Sequence, residues 1–227
     1  MEVLLEIVPK LKMEKFEKEL KETEPFDGYN IPDSPTGIPS PLPIVAATII
    51  RERYGKDRRI IINQRLIDVN ELYVRSLSMT AKMIDVEIAF TRGDMPKYGQ
   101  ALGELTSEKA VMIAKSYGIK AGMVLSLRKP RNQIINRLNF DADFFLTLRF
   151  RDVNDINWIE RGIDRLIPYV IVVNEKTKEL AEKLGQPYIN VNEISDYITK
   201  IESSGIKSVI ISTLGNVDLI NEIIRRF

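Results

Sequence analysis

Cysteine and histidine are both missing from this chain of 227 residues. Without cysteine there is no disulfide framework and no thiol nucleophile, and without either residue there is no Cys/His zinc site. General acid–base work, most often the task of histidine, falls to Asp, Glu, Lys or Tyr. A strong net field is missing too. The 33 basic and 32 acidic residues leave a formal charge of +1, so nothing global draws the chain to nucleic acid or to an anionic membrane. No apolar run approaches the ~20 residues that a membrane span needs. Strand-like sequence begins at Glu2, so no signal peptide is expected. A cytoplasmic protein is therefore expected. The absent cysteine, beside many Ile, Glu, Lys and Arg residues, leans toward a thermophilic source.

What is present is apolar and regularly patterned. Hydrophobic residues make up 44%, enough for one large, well-buried core. Short β-branched runs alternate with helical patterns from end to end. The runs are Val3–Val8, Gly28–Ile31, Arg59–Ile67, Asp85–Phe90, Ala121–Leu127, Phe144–Phe150, Tyr169–Val173 and Lys207–Ser212. Met13, Phe16 and Leu20 make a helical stripe, and Ile44 to Tyr54 reads as a largely buried helix. Asp68 with Glu71 reads as a capping box opening a helix over Val69–Met83, and Thr106 or Ser107 caps the next. Val217, Ile220, Ile223 and Ile224 form the core stripe of the last helix. Strict alternation predicts a parallel sheet, and eight units predict a closed (β/α)8 TIM barrel. The doubly wound open sheet is the alternative. No linker divides the chain, so residues 1–227 are read as a single α/β domain.

Two segments break the pattern. Pro32, Pro35, Pro39, Pro41 and Pro43 make a stiff, extended loop after the second run, suited to wall a pocket or simply to cross the surface. Pro187–Val191 reads as a short extra strand before the last one, followed by a helix over Glu193–Glu202.

The candidate functional residues cluster at strand ends. Glu6 lies among apolar residues in Val3-Leu4-Leu5-Glu6-Ile7-Val8-Pro9, where its structural reading is an ion pair with a neighbouring Lys or Arg. Asp94 ends a strand in the turn Thr91-Arg92-Gly93-Asp94, so Glu6 and Asp94 suggest a shared mouth. Arg128, Lys129 and Arg131 form a basic rim loop suited to a cofactor diphosphate or an acidic substrate tail, or else a solvated charge run. Arg149 and Arg151 alternate around Phe150, and one of them should reach the mouth and grip a carboxylate. Asp33 on the proline-rich loop and Thr213 with Asn216 near the last strand end are further contact candidates. Trp158, the only tryptophan, is placed in a helix over Asn154–Gly162 and read as packing.

Several of these segments resemble the methylenetetrahydrofolate reductase family. Leu5-Glu6-Ile7-Val8-Pro9 resembles its first strand. Gly28-Tyr29-Asn30-Ile31-Pro32-Asp33-Ser34-Pro35 resembles a second-strand motif, and Arg65-Leu66-Ile67-Asp68 lies at the third-strand motif. Thr91-Arg92-Gly93-Asp94-Met95-Pro96 resembles the Gly-Asp turn, and Ser212-Thr213-Leu214-Gly215-Asn216 a segment before the final helix. The resemblance implies a flavin-dependent barrel oxidoreductase that passes hydride from a nicotinamide cofactor or partner donor, through FAD, to a methylene-tetrahydropterin. It implies Glu6 as general acid and Asp94 as electrostatic partner. It implies Arg92, Gly93, Asp94, Asn63 (where the family commonly has His), Arg128, Lys129 and Arg131 at the cofactor. It implies Asp33, Arg149 and Thr213 at tetrahydrofolate or a modified tetrahydropterin. Two rivals stay open: a flavin-independent tetrahydropterin-binding methyltransferase barrel, and a non-catalytic subunit or paralogue. A homo-oligomer or partner subunit is also left open.

Overall fold

A computed structural model describes residues 1–226. Its strands are β1 (Glu2–Glu6), β2 (Gly28–Ile31), β3 (Arg59–Arg65), β4 (Glu87–Thr91), β5 (Ala121–Ser126), β6 (Phe144–Leu148), β7 (Leu166–Val173), β8 (Tyr188–Asn190) and β9 (Ser208–Ser212). The helices are α1 (Met13–Glu22), α2 (Pro43–Tyr54), α3 (Glu71–Ile84), α4 (Ser107–Ser116), α5 (Arg131–Leu138), α6 (Lys178–Leu184), α7 (Ile194–Ser203) and α8 (Val217–Ile224). All pairings are parallel, and β1 to β7 with β9 close into an eight-stranded barrel, because β9 joins β1 to β7 and β7 joins β6. The chain is a (β/α)8 barrel, as the alternation predicts. None of its described helices is long and apolar enough to cross a membrane.

The extra strand is β8, and its position is specific. Leu166–Pro168 of β7 pair with Phe145–Thr147 of β6. Further along β7, Ile171–Val173 pair with Tyr188–Asn190 of β8. One edge of β7 therefore changes partner halfway, and Pro168, which has no N–H to give, is the last residue paired with β6. Among the described residues no α-helix connects β6 to β7. That link carries short 3₁₀ turns at Val153–Asp155 and Ile163–Arg165, so the expected helix around Trp158 is absent. Asp152 and Asp155 instead accept backbone N–H bonds from Asn154 and Arg151 at 2.7 Å each, local bonds that compete with helix formation.

Alternation along each strand sorts the barrel interior into layers. Near the N-terminal ends, Arg59 bridges Glu2 and Glu87 at 2.7 and 2.8 Å and donates to Ser208 at 3.1 Å. The middle is apolar and buried: Leu4, Ile61, Ala89, Leu146, Ile167 and Ile210. Gly28 leaves that layer room, since a Cβ there would lie 2.8 Å from the Leu4 side chain and 2.2 Å from the Arg59 carbonyl oxygen. The last layer, at the C-terminal mouth, is polar: Glu6, Asn30, Asn63, Tyr169 and Ser212. The larger buried cluster, including Leu5, Tyr29, Ile62, Phe90, Met123 and Val172, faces the other way and holds the helices to the barrel.

Helix α3 starts differently from the capping box expected at Asp68. Asn70 is the cap and accepts from Tyr73 N–H at 3.1 Å. Asp68 is drawn to Arg65 instead, at 3.0 Å. Thr106 caps α4 as expected, accepting from Lys109 N–H at 3.2 Å. The inner residues of α8 are Leu219, Ile220 and Ile223, with Val217 and Ile224 half-buried.

Candidate functional site

Glu6 ends β1 facing into the barrel. Its carboxylate accepts Tyr169 O–H at 2.7 Å and Ser212 O–H at 2.6 Å. Among the described residues no Lys or Arg forms an ion pair with it, so the pairing with a neighbouring base does not occur. Burial pushes the carboxyl above its ordinary value, against the pull of the Ser212 and Tyr169 hydrogen bonds. Its side chain nonetheless keeps some exposed surface toward the mouth. Tyr169 lies among Ile167, Val170 and Ile171, and burial together with the neighbouring Glu6 raises its phenol well above the ordinary range. A neutral phenol thus faces a carboxyl whose burial shifts it toward the neutral form.

Beside them, Asn30 is the Cα partner of Glu6 in the β1–β2 ladder. Its amide exchanges bonds with Asn63. Asn30 Nδ2 donates to Asn63 Oδ1 at 2.9 Å, and Asn63 Nδ2 donates back to Asn30 Oδ1 at 3.2 Å. Asn30 is wholly buried, whereas Asn63 is partly exposed. The mouth floor is thus an arc of polar groups on β7, β9, β1, β2 and β3, the Glu6 carboxyl being its one acidic member.

The other predicted residues divide. Asp94 is exposed, and among the described residues its side chain bonds to nothing, Glu6 included. Its backbone oxygen is what is held, by Arg65 Nη2 at 2.8 Å. Arg65, only 3% exposed, also donates to the Ser34 carbonyl at 3.1 Å and pairs with Asp68, so it rivets the β2 and β4 loops to the end of β3. Gly93 sits at φ +82° against the Arg65 side chain, where a Cβ would come within 3.0 Å. Asp33 belongs to the same rivet, accepting Arg65 N–H at 3.0 Å and Gln64 Nε2–H at 3.2 Å, and burial raises its carboxyl. Arg92 lines a cavity of about 590 Å³ between β4 and β5, with Thr91, Ser126, Lys129, Arg137 and the start of α4. Arg128, Lys129, Arg131 and Arg149 surround a second cleft of about 500 Å³ that opens after β5 and β6. Thr213 is 1% exposed, and its hydroxyl has no partner among the described residues. A larger cleft, about 800 Å³, lies at the opposite, N-terminal face around Arg59, Glu2 and Glu87. In barrels that face serves stability.

Tyr169, Ser212 and Asn30 escaped the sequence reading as functional residues. One signal was present: each is a polar group at an inward-facing position of a mostly apolar strand, as Glu6 is.

No family model matches the sequence, and no curated protein does. Solved structures match in fold. The alpha-subunit in a Pyrococcus furiosus tryptophan synthase a2b2 complex aligns at TM-score 0.58 and 13% identity, covering 97% of this chain and 90% of that one. An oxaloacetate acetylhydrolase bound to oxalate aligns at 0.61 and 11%, covering 98% and 78%. The Bacillus cereus spore cortex-lytic enzyme SleL aligns at 0.57 and 9%, covering 98% and 74%. At such identities the likeness is one of fold. These findings overturn the resemblance to the methylenetetrahydrofolate reductase family: the similar barrels are of other kinds, and neither family models nor curated proteins support it. FAD, the nicotinamide donor and the tetrahydropterin were implied by that resemblance alone, and the site gives them no independent ground.

Proposed function

We propose that the chain is an enzyme that performs acid–base chemistry on a small polar molecule at the C-terminal mouth of its barrel, with Glu6 as the proton-transferring group. The observation that carries this reading is the Glu6 carboxyl itself. It is desolvated, forms no ion pair among the described residues, and is held by two neutral hydroxyls at 2.7 and 2.6 Å with part of its surface exposed. A structural carboxylate in a barrel interior takes a base as partner, as Glu2 and Glu87 do with Arg59. A carboxyl kept unpaired and raised holds its proton nearer neutrality and can deliver it to a leaving or carbonyl oxygen.

The surroundings suit that role. Tyr169 and Ser212 fix the carboxyl rotamer, and the Asn30–Asn63 pair offers amide groups to a polar substrate without adding charge. Active sites of this fold lie at the strand C-termini, and the similar barrels are named as enzymes. A lyase, isomerase or hydrolase step fits one carboxyl acid beside neutral hydrogen-bonding groups.

The test begins with a thermal-shift screen of small metabolites against the wild type. A stabilising compound that is also turned over is then given to Glu6→Gln. Turnover should fall by roughly 10²- to 10⁴-fold with little change in binding. Undiminished turnover by Glu6→Gln would remove Glu6 from the chemistry.

A further inference from the structure

The cleft after β5 and β6 has a charge balance unlike the rest of the molecule. Overall the chain is nearly neutral, with 33 basic against 32 acidic residues. Around this one cleft stand Arg128, Lys129, Arg131, Arg149 and Arg151, against a single carboxylate, Asp155. That carboxylate is already engaged, accepting Arg151 N–H at 2.7 Å. None of the five cations forms an ion pair among the described residues, although most other basic clusters here do. The Arg131 guanidinium instead lies 5.0 Å over the Trp158 ring, and Arg149 donates to the Gly185 carbonyl.

The backbone is spent on this arrangement as well. Arg149 adopts φ +68°, a left-handed conformation that costs a non-glycine residue on the order of 1 kcal/mol. Burial and the nearby Arg128 guanidinium both press Arg149 toward losing its proton. Cations crowded together without counter-charge favour an anion between them. The place is set by the fold: the barrel wall parts where β7 exchanges β6 for β8, and the α6–β8 turn at Gly185–Pro187 forms the far bank. The near bank starts beside the mouth, since Arg128 N–H bonds to Ser126 Oγ at the end of β5.

We infer that this cleft is a binding subsite for the phosphate or diphosphate group of a small-molecule substrate whose reactive end lies in the Glu6 mouth. A single carboxylate would be satisfied by one arginine fork, whereas five cations match a multiply charged group. Concave walls and a volume of about 500 Å³ suit a small molecule better than a polymer. The assignment rests on the acid–base reading for the ligand's reactive end, but binding is measured apart from turnover, so the two fail separately.

Trp158 is the only tryptophan of the chain and lines the cleft, so its fluorescence reports occupancy directly. Inorganic pyrophosphate is titrated into the protein at constant ionic strength. The expected result is a saturable change in Trp158 emission that weakens roughly tenfold or more in Arg128→Ala/Lys129→Ala. Both side chains are exposed, so the variant should melt with the wild type. Glu6→Gln should bind pyrophosphate as the wild type does. A change no larger than chloride produces, or one unaffected by the double substitution or by Arg151→Ala, would overturn the subsite. Citrate binding as tightly as pyrophosphate would overturn the phosphate class. Tighter binding of a single-stranded oligonucleotide would overturn the small-ligand assignment.

Discussion

Arg65 holds the β4 loop through the main chain of Asp94, donating from Nη2 to the carbonyl at 2.8 Å, while the Asp94 carboxylate faces solvent. The residue chosen by sequence for its side chain is gripped by its backbone, and the grip belongs to a guanidinium that is 3% exposed. Arg65→Ala should therefore cost about 3 kcal/mol, because it strips the Ser34 and Asp94 carbonyls of their donor and leaves Asp68 unpaired. Asp94→Asn should change stability by no more than about 0.5 kcal/mol. Urea unfolding of the two variants checks both, and equal costs would contradict the rivet.

Gly93 tests the same device from the other side. Its φ of +82° and the Arg65 side chain 3.0 Å from where a Cβ would sit both oppose a side chain. Gly93→Ala should destabilise by about 1–2 kcal/mol. Gly99→Ala, at φ +80° with nothing within 4 Å, carries the backbone cost alone, so the difference between the variants reads the contact with Arg65.

Glu6 makes a prediction in pH. Its folded carboxyl is raised by burial, so below the unfolded value, about 4.3, both states hold the proton and no penalty exists. As pH rises through the folded value, the unfolded state has already released its proton and the folded state must follow at a cost. Stability attributable to protonated Glu6 is thus present in acid and lost toward neutral and alkaline pH. Glu6→Gln, which does not titrate, should gain on the wild type between pH 4 and pH 8. A difference between the two that is constant across that range would show that Glu6 is not raised.

Tyr169→Phe removes one of the two hydroxyls that counter the effect of burial on Glu6. The carboxyl should move further upward, and the pH profile of any turnover should shift to higher pH. The fold should lose about 1 kcal/mol. An unmoved profile would uncouple Tyr169 from the acid.

The strands were legible because each is a short β-branched run, and all eight barrel strands fall on the runs read from sequence. Boundaries failed where a longer-range contact decided. Leu166 and Ile167 join β7 ahead of Pro168 because β6 is there to pair with them. Asp68 gave up its cap to Asn70 because Arg65 lies within reach. Glu6 was visible as a carboxyl in an apolar strand. Tyr169 and Ser212 were not, since they meet it across 163 and 206 residues of chain. Asp94 looked equivalent to Glu6 by position alone, yet its turn aims the carbonyl inward and the side chain out.

The change of partner along β7 also divides that strand kinetically. Leu166–Pro168 are laddered to β6 and Tyr169–Ile171 to β9, both strands of the closed barrel, whereas Val172 and Val173 are laddered only to the three-residue β8. So small a patch of ladder opens by local unfolding well before the domain does. Amide exchange at Val172 and Val173 should run ahead of exchange at Ile167, and the seam that admits deuterium first is the one beside the arginine-lined cleft.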